Sequence, residues 1–81
     1  MSTTQIKLDF PITVAGAAVG VVSMRRMSVR DLIAYDSSKE ASLAKEAVLI
    51  ANLCDLLPES IYAMDAADYK KCQTVVQGFL G

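Results

Sequence analysis

Histidine is absent from the 81 residues, and cysteine occurs only at Cys54 and Cys72. Without imidazole or a CxxC pair, no zinc ligand set can be assembled. A serine nucleophile would likewise lack the base that activates it. The two thiols are therefore read as buried and reduced, as in a cytosolic protein. No glycine-rich loop follows a strand, which removes a phosphate cradle. MSTTQIKLDF has no basic leader followed by an apolar core, so no signal peptide is expected there. The apolar stretch from Ile12 to Val22 holds Gly16 and Gly20 and falls well short of the roughly twenty residues a bilayer span needs. Positive charge is thin as well: eight Lys and Arg against nine Asp and Glu give a net charge of -1. With a pI near 5.1, the chain lacks the basic surface of a phosphate-backbone binder. Neither a membrane nor a nucleic acid is expected as a partner.

What is present is apolar surface. Hydrophobic residues make up 53% of the chain, a high share for a single small domain near the lower limit of independent folding. Surface left over at this size tends to seek a partner, either another copy of the chain or a client.

The pattern along the chain is that of an α+β domain: an N-terminal β-hairpin followed by three to four α-helices, in one compact unit spanning 1–81, with the hairpin at 1–27 and the helical part at 28–81. Ile6, Leu8, Phe10, Ile12 and Val14 alternate with polar or small residues, the period of a strand with one buried face. Pro11 lies on the other parity and marks an edge or a bulge. Gly16 supplies the turn, and Ala18 to Met24 return as a second strand. A two-residue loop would pair Phe10 with Val21. A three-residue loop would pair Phe10 with Val22 and Leu8 with Met24; it is preferred because it keeps Met24 on the apolar face.

Ser28 is a helix start whose hydroxyl can accept from the amide near Asp31, with a helix from Val29 to about Tyr35 or Asp36. There Val29, Leu32, Ile33 and Asp36 set the buried and exposed edges. A longer helix is expected from about Lys39 to Cys54. Leu43, Ala47, Ile50 and Cys54 form one row of it, in a segment apolar around most of its circumference. Pro58 opens a short helix to about Ala63. Asp65 is the N-cap of the last helix, with Asp68 in the place of a capping-box acid, so neither aspartate is assigned to catalysis. That helix carries an apolar stripe of Tyr69, Cys72, Val75, Val76 and Phe79, with Gly78 read as its end and Phe79 and Leu80 beyond it. Lys70 and Lys71 are read as a solvated face.

Three arginines lie in MRRMSVRDL. Arg25 and Arg26 point to opposite faces if they end a strand, and Arg30 points elsewhere, so they make a poor phosphate track. They are expected to flank the strand-to-helix joint and to pair with Asp31, Asp36 or Glu40. No catalytic residue, metal ligand or cofactor is assigned. The residues expected to meet a partner are Leu43, Ala47, Ile50, Tyr69, Val75, Val76, Phe79 and Leu80.

LDFPITVAG, MRRMSVRDLIAYD and LCDLLPESIYAMDAADYKKCQTVVQGFL occur in this order between Ile6 and Leu80. Together they resemble the small tail assembly chaperones of contractile-tailed bacteriophages and prophages. Met27 departs from the proline common after the basic pair, and VAGAAVG is more apolar than the usual turn. The resemblance implies a non-enzymatic assembly factor in the host bacterial cytoplasm. It would bind the phage tape-measure protein, assist tail tube assembly and be absent from the mature virion. A longer frameshifted form would reach the tail tube protein, and a homo-oligomer is a further expectation. The alternatives are a small phage DNA-binding regulator and a structural tail component.

Overall fold

The computed structural model describes residues 3–80. The chain runs β1 (Thr3–Val14), β2 (Ala17–Arg25), α1 (Val29–Ser37), α2 (Ser42–Cys54), α3 (Pro58–Tyr62) and α4 (Ala66–Phe79). This is the α+β order expected, a hairpin followed by helices. The two strands form an antiparallel sheet. Its inner face is covered by α4 under β1 and α2 under β2, with α3 packed on α2 and β1.

The turn is two residues long, not three. Ala15 (φ 52°) and Gly16 (φ 82°) are both left-handed, the conformation whose twist matches a tight hairpin. Val14 therefore pairs with Ala17, Thr13 with Ala18 and Ile12 with Val19. Carried onward, that register would turn Met24 outward. Instead the ladder breaks between Lys7 and Ile12, where four residues of β1 stand against Gly20 alone on β2, and it resumes with Lys7 opposite Val21, Ile6 opposite Val22 and Thr4 opposite Met24. The surplus of three residues is odd, so it restores the parity that the short turn would have lost. Met24 is fully buried. It reaches the core through a bulge rather than through a longer loop, and the preferred Phe10–Val22 and Leu8–Met24 pairs do not form.

Pro11 lies within this bulge, where no ladder amide is required of it. Its ring sits 3.8 Å from where a Cβ on Gly20 would be. Phe10, expected on the inner face, is 60% exposed, because the bulge turns it outward. Ile6, Leu8 and Ile12 remain inside and join Val22, Met24, Ile50 and Leu53 in the core.

Ser28 caps α1 in a capping box: its hydroxyl accepts from the Asp31 amide, and the Asp31 carboxylate accepts from the Ser28 amide at 2.8 Å. The helix nonetheless buries no residue, and Val29, Leu32 and Ile33 are all exposed. It is held by its ends and by Tyr35, which packs on the core and carries Lys45 4.9 Å above its ring. α2 starts at Ser42, three residues later than Lys39, and its N-cap, Ala41, offers no side-chain cap. At its other end Asp55 takes the left-handed conformation (φ 57°), and the Leu56 amide donates to the Ala51 carbonyl at 2.9 Å, which satisfies the last turn.

Candidate partner-binding surface

The most selective polar contact in the fold centres on Asp68. It occupies the third position of α4, but its carboxylate does not fold back on the Asp65 cap, as expected of a capping-box acid. Asp65 caps alone, accepting from the Ala67 amide at 3.0 Å. The Asp68 carboxylate reaches the bulge instead: the Asp9 amide donates to one oxygen at 2.9 Å and the Phe10 amide to the other at 3.0 Å. Asp68 is fully buried, and these two amides are ones the bulge takes out of the ladder. Lys71, one turn on, donates to the Lys7 carbonyl at 3.0 Å and lies 3.1 Å from Asp9 and 3.2 Å from Asp68. It is a structural cation rather than part of a solvated face.

A second acid serves the strand-to-helix joint. Arg25 binds Asp31 through both guanidinium nitrogens, at 2.8 and 2.9 Å, one of the pairings expected. Arg26 lies over the Phe79 ring, 5.2 Å from its centroid. Two of the three arginines are thus engaged within the fold.

Both carboxylates are shifted down. The Arg25 hydrogen bonds hold Asp31 well below the ordinary value of 3.8, with help from Ser28 and against desolvation. The Asp9 amide, followed by Phe10 and Lys71, does the same for Asp68 against the opposing effect of burial. In the unfolded chain both groups regain ordinary values and bind protons at higher pH than in the native state. Stability is therefore fully present above about pH 5 and is lost as acid titrates the depressed native groups. The urea midpoint should stay level from neutrality to about pH 5 and then fall steadily; a midpoint that rises on acidification would contradict this.

An apolar surface lies beside α2 and α3. An open groove of about 480 Å³ is lined by Ala41, Leu43, Ala44, Ala47, Ile61, Tyr62, Met64 and Tyr69. Its walls come from α2, α3, the α3–α4 joint and the first turn of α4. Leu43 (66% exposed) and Tyr62 (58%) stand at its rim, while Ala47, Ile61 and Met64 are buried. The small side chains of Ala44 and Ala47 keep this side of α2 low, so a partner backbone can approach closely. One wall is fixed by a polar clamp between α2 and α4: the Tyr69 hydroxyl and the Gln73 amide both donate to one Glu46 oxygen at 2.7 Å. Burial, reinforced by Glu46, raises the Tyr69 pKa far above its ordinary value, so the phenol stays protonated and donating.

The residues expected to meet a partner divide accordingly. Leu43, Ala47 and Tyr69 line this groove. Ile50 (0% exposed) and Val76 (6%) lie in the core. Val75 and Phe79 are half-buried and pack against it. Leu80 is exposed at the end of α4, and that helix runs through Gly78 to include Phe79. Val76→Asp should therefore unfold the domain rather than impair binding alone, at a cost of about 3–5 kcal/mol; chemical denaturation would check this. Tyr62, Ile61 and Met64 carry no periodic signal in the sequence, because α3 has too few turns to show one and Met64 lies in the joint after it. Cys54 and Cys72 are free and buried, and burial pushes their thiols up to about 12 and about 11, so neither is a nucleophile at neutral pH. Among the described residues no group of three or more Cys, His, Asp or Glu could hold a metal ion, and no helix is long and apolar enough to cross a membrane.

A family model described as "Phage tail assembly chaperone proteins, E, or 41 or 14" matches residues 5–81. No curated protein and no solved structure matches the chain.

Proposed function

Because the chain belongs to the phage tail assembly chaperone family, we propose that it binds the tape-measure protein of its phage in the host cytoplasm. It keeps that protein soluble until the tail tube forms around it, and it leaves before the virion is complete. The observation that carries this reading is the open apolar groove between α2 and α3. A tape-measure helix exposes apolar stripes that aggregate when bare. A groove with a low alanine floor and a leucine and a tyrosine at its rim accepts such a stripe by helix-in-groove docking, with anchors at i, i+3, i+4 and i+7. The near-neutral charge leaves apolar contact as the main attraction, so binding should be little affected by salt. A longer frameshifted form would bring the tail tube protein to the same client.

Co-expression tests the reading. With the chain present, the tape-measure protein should move from the insoluble to the soluble fraction and co-purify with the chain. Mass spectrometry of finished particles should find the tape measure and not the chaperone. A tape measure equally soluble with and without the chain, or the chain retained in the virion, would overturn it.

A further inference from the structure

The two edges of the sheet are defended unequally. β1 carries several of the devices that stop a strand from pairing with another. It has a bulge, a proline and the charges of Lys7 and Asp9. In addition, α4 occupies its backbone: Lys71 takes the Lys7 carbonyl and Asp68 takes the Asp9 and Phe10 amides. β2 has no such protection. From Ala17 to Met24 it has no charge and no proline, and its terminal Arg25 is neutralised by Asp31. Among the described residues no side chain bonds to its backbone. The outer face of the hairpin shows Val21 at 49% and Phe10 at 60% exposure.

We propose that β2 pairs antiparallel with β2 of a second copy across a two-fold axis, joining two hairpins into one four-stranded sheet. A second copy fits this edge because an uncharged strand meets itself without like-charge contact. The blocked β1 edges then stop growth at two copies, giving a closed isologous dimer rather than a fibre. The groove between α2 and α3 takes none of its lining from β2, so it stays open to a client. The inference does not depend on what that client is.

Val21→Glu tests it. Val21 stands opposite Lys7 within the hairpin, so a carboxylate there gains an opposite charge in its own copy; with the two-fold axis at Val21, the centre of β2, it meets its like in the second copy. Light scattering should give wild type the mass of two copies and Val21→Glu half that mass, with unchanged circular dichroism. Val29→Glu on α1 should leave the dimer intact. Hydrogen exchange should show the β2 amides that face away from β1 protected in wild type and exposed in Val21→Glu. A wild type that stays a single copy at every concentration overturns the proposal. So does a Val21→Glu protein that keeps the two-copy mass, or a dimer dissolved only by Val29→Glu. A monomer whose β2 amides become protected only on adding tape-measure protein also overturns it, assigning the edge to a client strand.

Discussion

Asp68→Ala should lower the midpoint of thermal unfolding by roughly 15 °C, the largest effect of any single substitution outside the apolar core. The substitution strands the Asp9 and Phe10 amides, which have left the ladder and have no other partner. It also leaves Lys71 with only the partly exposed Asp9 as counter-charge. Both bonds run to a fully buried carboxylate and are part-buried themselves, and a donor left without its acceptor in such a site costs more than the hydrogen bond was worth. Asp68→Asn separates shape from charge. Its amide keeps one acceptor oxygen but turns an NH2 towards the second backbone donor, so it should fall between wild type and alanine. Lys71→Met should cost less than either, because its ammonium is partly exposed and such pairs are weak. If Asp68→Ala melts within a degree or two of wild type, the bulge holds itself and Asp68 is incidental to it.

Leu43→Asp should leave stability within about 0.5 kcal/mol of wild type, because the side chain is 66% exposed and contributes little to the core. Its effect on client capture should be large. Covering a leucine is worth about 2 kcal/mol, and an unpaired carboxylate in the groove adds a desolvation cost, so affinity should fall roughly thirtyfold or more. Tyr62→Ser on the facing rim should weaken capture without unfolding the domain. Val29→Asp and Leu57→Asp, also at exposed apolar positions, lie outside the groove and serve as controls. Titration calorimetry with a soluble tape-measure segment would read all four. Equal losses at groove and control positions would mean that binding follows total surface hydrophobicity and not this site.

The sequence carried the architecture well and the long-range contacts poorly. Alternation reports burial at Ile6, Leu8 and Ile12, because one face of a strand packs on the core, and fails at Phe10, which the bulge turns outward. The requirement that Met24 stay inside was also legible. How the chain meets it was not, because the bulge is held by a carboxylate 58 and 59 residues away. Ser28-x-x-Asp31 and Asp65-x-x-Asp68 share one spacing, yet only the first is a capping box. The second acid has two freed amides within reach, and this competing partner is invisible to local reading. Val29, Leu32 and Ile33 have helical spacing, but a stripe shows only which residues share a face, not whether another element covers that face. The groove was half legible: Leu43, Ala47 and Tyr69 follow from periodicity, while Tyr62 and Ile61 enter through the docking of α3.

Site-specific photo-crosslinking tests the central claim most directly. A photoreactive residue at Leu43 or Tyr62, in chaperone co-expressed with its tape-measure protein, should give a crosslinked pair whose attachment points on the client repeat at helical spacing. The same residue at Val29 should give little or none. Crosslinks from Val29 in place of Leu43 and Tyr62, or client contacts without helical spacing, would contradict a helix seated between α2 and α3.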